Sequence, residues 1–260
     1  MRLSDRKHYK NPIASTGLAI LEFPRLVTEI GLLCASKSLL MNAPKGDGHS
    51  VIVIPGFLGD DSYNDALCKY LCWLGYDARG WNLGRNLGPR DGTIEGLERL
   101  VLDTYECSGR KISLIGHSLG GVYAREMARA LPDKIRQVVS LGSPIAESSD
   151  SRKLSAIIFR HLNGPVDPER KQVIKEAPPV PTTAVYSRSD GVVHWENALQ
   201  RDGHAECQNI EVYGSHCGLT VNTSVWRLLA DRLSQAEENW QPFVALGAQR
   251  WMFPFKRNFT

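Results

Sequence analysis

Ten residues in the middle of the chain restrict its fold more than any composition figure does. Ile112-Ser113-Leu114-Ile115-Gly116-His117-Ser118-Leu119-Gly120-Gly121 passes from an apolar run straight into G-H-S-L-G-G, leaving no room for a loop. The run reads as a strand, and Ala124, Met127 and Ala128 fall on one face of a helix that begins at once. A strand-to-helix turn this tight forces Ser118 into a strained backbone conformation. The flanking glycines are needed because side chains there would meet neighbouring backbone. Ser118 is then held at the strand end with its hydroxyl exposed, above the partial positive charge and unpaired N–H groups of a helix N-terminus.

The surrounding chain supports a sheet for that strand to join. From Val51 onward, short apolar runs alternate with helical patterns. Val51 to Ile54 is a β-branched run stopped by Pro55-Gly56, as in a strand buried on both faces. Leu67, Tyr70, Leu71 and Leu74 mark a helix ended by Gly75, and residues 76–81 read as the next strand. Ile94, Leu97, Val101 and Tyr105 mark a second helix. Further strands are expected at 138–141, 183–186 and 210–213, with a closing helix over about 219–233. Such alternation predicts an α/β domain with a mostly parallel sheet covered by helices on both faces, its ligands beyond the carboxyl ends of the strands.

Two stretches depart from the alternation. Residues 146–181 form an insertion with an apolar cluster at Leu154, Ile157, Ile158 and Phe159, and are expected to fold as a small helical cap or lid. Residues 1–45 form an N-terminal helical arm, separate from a main domain over 46–260. Its apolar part, 18–41, is interrupted by Glu22, Pro24, Arg25, Glu29 and Lys37, so it is no spanning helix. It is expected to pack on the domain; lying at a membrane surface or lining a substrate entrance is the alternative. The C-terminal Trp251-Met252-Phe253-Pro254-Phe255-Lys256-Arg257 segment is aromatic and basic, expected to dock on the body, with contact to a lipid surface as the alternative.

Composition removes several function classes. With 31 basic against 28 acidic side chains the chain carries no nucleic-acid footprint, and no polynucleotide partner is expected. None of the cysteines 34, 68, 72, 107, 207 and 217 forms a C-x-x-C pair, so zinc and thioredoxin-like readings are weak. Cys68 and Cys72 share a helix face and read as small core residues. Cys207 and Cys217 bracket an expected strand, which would hold them roughly 30 Å apart, beyond disulfide reach. All six are read as free thiols of a reducing compartment, and the polar, basic first ten residues do not resemble a secretory signal. A cytoplasmic location is the expectation.

At G-H-S-L-G-G the sequence resembles the α/β-hydrolase superfamily, specifically its lipase-like members. The resemblance covers about residues 50–235 and rests on four stretches in the family's order. Ile54-Pro55-Gly56-Phe57-Leu58-Gly59 matches the turn that lends a backbone N–H to the oxyanion hole. This implies Phe57 as one donor and Leu119, after the nucleophile, as the other. Many relatives carry histidine where this chain has Pro55, and a backbone donor does not depend on it. Ser118 stands at the nucleophile, Asp190 just past a strand in Ser187-Arg188-Ser189-Asp190-Gly191, and His216 in Tyr213-Gly214-Ser215-His216-Cys217-Gly218. The order Ser, Asp, His is the superfamily's.

The chemistry explains these residue types. A serine hydroxyl needs a neighbouring base, histidine suits that role near neutral pH, and a carboxylate fixes the imidazole tautomer. The resemblance thus implies a serine hydrolase cleaving a carboxylic ester, esterase- or lipase-like, through an acyl-enzyme. The expected substrate is a small-molecule or lipid-like ester with an apolar acyl chain, and no cofactor or metal is implied. Acyltransferase, thioesterase or amidase activity would use the same triad, and a non-catalytic ligand-binding protein on this fold is the reading from another class. Arg85 and Asn86, in the Gly-rich loop 82–89, and His117 are candidate substrate contacts, with Arg85 free in solvent as the competing reading.

Overall fold

The computed structural model describes residues 17–145 and 174–254. Residues 1–16 of the arm, 146–173 of the expected cap and 255–260 of the tail lie outside the described residues.

Six strands form one all-parallel sheet: β1 (Ser50–Ile54), β2 (Asp77–Gly80), β3 (Ile112–His117), β4 (Ile135–Leu141), β5 (Thr182–Tyr186) and β6 (Cys207–Glu211), in spatial order β2-β1-β3-β4-β5-β6. The helices are α1 (Glu22–Ala35), α2 (Lys37–Met41), α3 (Asp61–Leu74), α4 (Thr93–Ser108), α5 (Leu119–Ala130) and α6 (Thr223–Ser234).

Period-two alternation along the central strands divides the core between the two faces. Val51, Val53, Ile115 and Val185 pack with Leu67, Leu71, Leu74, Leu228 and Leu229 of α3 and α6. Ile52, Ile54, Leu114 and Val138 pack with Leu97 and Val101 of α4 and Tyr123, Ala124 and Met127 of α5. Central strands buried on both faces must read as continuous apolar runs, which is why they were visible in sequence.

The edges differ from expectation. The last strand begins at Cys207 rather than Ile210, because its polar start is used: Gln208 exchanges hydrogen bonds with the Phe243 backbone at 2.7 and 2.9 Å, and Asn209 does the same with Gln200 at 2.8 Å. The closing helix is broken into a 3₁₀ turn, Leu219–Val221, and α6, because Asn222 caps the latter through the Ser224 and Val225 amides. All six cysteines are free, and Cys72, expected in the core, is exposed. No helix among the described residues is long and apolar enough to cross a membrane.

The described part of the arm, residues 17–45, packs on the domain with its two glutamates turned inward. Glu22 and Glu29 are 6% and 9% exposed, whereas Phe23 is 72% and Val27 55%. Leu40 and Ala43, at the arm's end, join the core beside Leu71 and Leu74.

Candidate active site

Ser118 has φ 52° and ψ −120°, the strained elbow the sequence demands, between the end of β3 and the start of α5. The glycines are compelled by close approach. A Cβ on Gly116 would lie 2.3 Å from the Gly120 carbonyl oxygen, and one on Gly120 would lie 2.3 Å from the Ile54 carbonyl oxygen. The amide of Ser118 donates to the Leu141 carbonyl at 2.8 Å, fixing the elbow to the end of β4.

Asp190 and His216 follow β5 and β6 on loops at the same carboxyl end of the sheet. His216 Nδ1 stands 2.7 Å from Asp190 Oδ2, both side chains buried. The second oxygen, Asp190 Oδ1, accepts from the amides of Val192 at 2.8 Å and Val193 at 2.7 Å. Because one carboxylate is fixed by backbone, the direction of its bond to the imidazole is fixed too. Gly142, just past β4, lies against both groups: a Cβ there would be 3.1 Å from Asp190 Oδ2 and 3.2 Å from His216 Nδ1. Leu141, the residue before Gly142, accepts from the Ser118 amide, so Ser118 and the His216–Asp190 pair both border the end of β4.

The structure gives His117 a supporting place rather than a substrate contact. Its ring is buried, stacked on Tyr63 at 5.5 Å and 4.9 Å from the His216 ring. His117 Nε2 lies 2.9 Å from the His216 carbonyl, which can only accept, so Nε2 carries the proton. Burial, and then the neighbouring His216, push its pKa down to about 3. Asn86 is likewise committed elsewhere, because it is fully buried and both of its side-chain polar atoms are bonded to backbone. Nδ2 donates to the Pro55 carbonyl at 2.8 Å and Oδ1 accepts from Gly88 N at 3.1 Å. Its own carbonyl accepts from Leu58 N at 2.7 Å, and its amide donates to Gly59 O at 2.8 Å. Asn86 therefore pins the Pro55–Gly59 turn that contains Phe57. Arg85 sits at the surface, 65% exposed and 4.0 Å from Asp60.

Phe57 lies in that pinned turn after β1, and Leu119 opens α5, where the first amides have no carbonyl partner within the helix. Among the described residues no cluster of three His, Cys, Asp or Glu side chains is placed to hold a metal ion.

Sequence reasoning missed Tyr63. Its hydroxyl donates to the Cys217 carbonyl, beside His216, and burial pushes its pKa up, keeping it a donor. It missed Glu22, Arg25 and Glu29 as partners of the acid and histidine loops. Their spacing, a polar stripe along one face of an apolar helix, was the available signal.

A family model described as an alpha/beta hydrolase family matches residues 51–255. A comparison with curated proteins gives no match. Among solved structures, the chain is similar to a monoacylglycerol lipase from Paleococcus ferrophilus, with TM-score 0.52 and 16% identity over 73% of this chain and 96% of that one. It is similar to lipase B from Aspergillus fumigatus, with TM-score 0.53 and 17% identity over 73% of this chain and 53% of that one. An alpha/beta superfamily hydrolase from Oenococcus oeni gives TM-score 0.53 and 16% identity over 73% and 94%. At such identities the structural likeness speaks for the fold, and the family model, matching most of the chain, carries the assignment: this protein belongs to the alpha/beta hydrolase family.

Proposed function

We propose that the protein is a serine hydrolase that cleaves carboxylic esters. The observation that carries this reading is the buried His216–Asp190 pair, 2.7 Å apart, at the strand ends where Ser118 stands on a strained elbow. With Nδ1 of His216 directed to Asp190, Nε2 is left as the base. It takes the proton of the Ser118 hydroxyl as Oγ bonds to the ester carbonyl carbon. The oxygen of the tetrahedral intermediate accepts from the Phe57 and Leu119 amides. Collapse breaks the C–O bond to the alcohol, which leaves with the proton from His216. Water, deprotonated by the same imidazole, then attacks the acyl-enzyme, and the acid departs as Ser118 recovers its proton.

A fluorophosphonate probe should label the protein and fail on Ser118→Ala. Turnover of p-nitrophenyl esters should rise from acetate toward longer acyl chains; turnover of acetate alone would remove the apolar-acyl reading. An alcohol acceptor that diverts the acyl group to a new ester would favour the acyltransferase alternative.

The outward face of α1 supports a second, peripheral role for the arm. Phe23, Val27 and Ile30, along one face of the helix, are 72%, 55% and 44% exposed, and Ile20, just before it, is 73% exposed. In sequence this helix is flanked by basic residues Arg2, Arg6, Lys7, Lys10 and Lys37. An apolar stripe with cationic flanks suits an anionic bilayer, which is also where an apolar ester would reside. Flotation with vesicles containing phosphatidylserine should carry the wild type and not Phe23→Glu/Val27→Glu; equal flotation of both would remove this role.

A further inference from the structure

We propose that Glu22, on the N-terminal helix α1, is a positioning residue that holds the acid and the base of the site in register. The proposal rests on the catalytic reading of Asp190 and His216 given above. One carboxylate of α1 bridges the two loops. Oε1 accepts from the amide of Gly191 at 2.8 Å, and Oε2 accepts from the amide of Cys217 at 2.9 Å. Gly191 directly follows Asp190, and Cys217 directly follows His216. A rigid group with two acceptor atoms thus fixes the separation of the two backbone segments from which the paired side chains project.

The neighbouring polar residues of α1 act on the same loops. Arg25 donates to the Ser189 carbonyl at 2.7 Å and to Ser189 Oγ at 2.8 Å, gripping the acid loop from its other side. Glu29 Oε1 accepts from the Ser215 amide at 2.6 Å, gripping the histidine loop on the other side of His216. The loops are built to admit the helix. A Cβ on Gly191 would lie 2.6 Å from the Leu18 backbone, and one on Gly218 would lie 1.5 Å from Glu29 Oε2.

The orientation of the helix points the same way. A surface helix ordinarily turns its apolar residues inward and its carboxylates to water. Here Glu22 and Glu29 are buried while Ile20, Phe23 and Val27 face out. Leu33 packs in part against the core, and the hydrogen bonds from residues 191, 215 and 217 account for the burial of the two carboxylates beside it. The arm is therefore tied to the domain largely through the backbone of the loops that bear the acid and the base.

Kinetics of the full-length protein on a p-nitrophenyl ester test the assignment. Glu22→Ala should lower kcat by about 10- to 100-fold, the penalty of a displacement near 1 Å at a reacting centre, with KM changed by less than about twofold. Glu22→Gln should fall between it and wild type, because the amide offers one acceptor while its NH₂ group opposes the other N–H donor. The decisive comparison uses the rate of fluorophosphonate labelling of Ser118. Glu22→Ala should slow labelling in the wild-type background and add nothing in His216→Ala, since a group acting through the imidazole has no effect once it is gone. If Glu22→Ala fails to fold, Glu22→Gln, which has the same shape, carries the same cycle. An unchanged kcat in folded Glu22→Ala, or an equal loss in the His216→Ala background, overturns the proposal and leaves the triad intact. Wild-type labelling by His216→Ala overturns the catalytic reading itself, and the proposal with it.

Discussion

Strand β3 has an Asp–His pair near each of its two ends, and the two differ in the features that the proposed chemistry requires. At the amino end, His49 Nδ1 lies 2.5 Å from Asp47 Oδ1 and His49 Nε2 lies 2.8 Å from Ser113 Oγ. At the carboxyl end, His216 Nδ1 lies 2.7 Å from Asp190 Oδ2, and Ser118 directly follows β3. Ser113, however, sits in regular strand and is fully buried, and His49 is 1% exposed. Asp47 is shared with two guanidinium groups, Arg110 Nη2 at 2.7 Å and Arg136 Nη1 at 2.9 Å. A cavity at that end, about 230 Å³, is lined by Lys111, Arg136 and Gln137, with neither His49 nor Ser113 in its wall. The end of the sheet matters as well. In a parallel α/β unit the helix N-termini cluster at the carboxyl ends of strands, so an oxyanion at Ser118 meets partial positive charge. One formed at Ser113 would meet the opposite pole. A chain of hydrogen bonds from carboxylate to hydroxyl is thus insufficient; access, an elbow and amide donors separate a reactive serine from a structural one.

The largest expected effect breaks or upholds that contrast directly. Ser118→Ala should lower ester turnover by about 10³-fold or more, whereas Ser113→Ala should keep turnover within a few-fold and lose about 1–3 kcal/mol of stability, because it strands the buried His49 Nε2. Parallel ester assays and urea titrations measure both, and loss of turnover on Ser113→Ala alone would invert the assignment.

Next in size is the pin beneath the oxyanion turn. Asn86→Ala strands the Pro55 carbonyl and the Gly88 amide, which together hold the turn bearing Phe57. Stability should fall by roughly 1–3 kcal/mol, and kcat should fall about tenfold or more at little-changed KM. A variant that loses stability yet keeps kcat would separate the turn from the oxyanion.

What was legible in the sequence follows from how each feature announces itself. The elbow was readable because its glycines are forced by backbone contact, and Asp190 and His216 because strand ends fix their places. The central strands were readable through their apolar runs, although β4 begins three residues earlier than expected because Arg136 and Gln137 are buried there as well. Strand β6 was displaced in the sequence reading because Gln208 and Asn209 look like loop residues until their side-chain partners are known. Asn86 drew attention as a polar residue on the active side, but sequence does not show that all its polar atoms are taken. The arm was the deepest miss. Glu22, Arg25 and Glu29 read as interruptions of an apolar stretch, whereas they are its points of attachment. The Asp47–His49–Ser113 grouping was invisible, since residues 47–49 and 113 are brought together only by the pairing of β1 with β3.

The buried histidines at both ends should respond to acid first, and Asp47 at a lower pH. His117, beside the active grouping, has its folded pKa lowered from 6.5 to about 3, so the folded state resists a proton that the unfolded chain accepts. Its stabilising share is complete above 6.5 and is lost as pH falls from there toward about 3. Burial pushes His49 below its ordinary value despite the hydrogen bond it donates to Asp47, and Arg136 adds to the lowering, so its share too begins to be lost as pH falls below 6.5. For Asp47, burial acts upward, but hydrogen bonds from His49 and Arg136 outweigh it and hold the carboxyl well below the usual range. Its contribution is present above an unfolded value near 3.8 and is lost only as pH falls below that. Urea midpoints measured from pH 7 to pH 3 should decline in both windows. His117→Gln should flatten part of the upper decline, and Asp47→Asn the lower one. An unaltered profile in Asp47→Asn would mean that its bonds persist in the unfolded chain.

The smallest effect is expected at Arg85, and it sharpens the contrast from the opposite side. If hydrogen bonding alone does not make Ser113 reactive, exposure on the active side does not by itself make Arg85 a substrate contact. Its neighbour Asn86 is buried and bonded to backbone, while Arg85 extends into solvent with Asp60 4.0 Å away. An exposed pair of this kind contributes about 0–1 kcal/mol and less as salt rises. Arg85→Ala should therefore leave kcat and KM within about twofold on neutral esters and shift stability by less than about 1 kcal/mol. The informative substrate is an ester bearing a carboxylate on its alcohol side. A rise in KM confined to that substrate and suppressed by salt would show that Arg85 meets anions arriving at this rim, adding a steering charge to the access and the elbow that the amino-terminal grouping lacks.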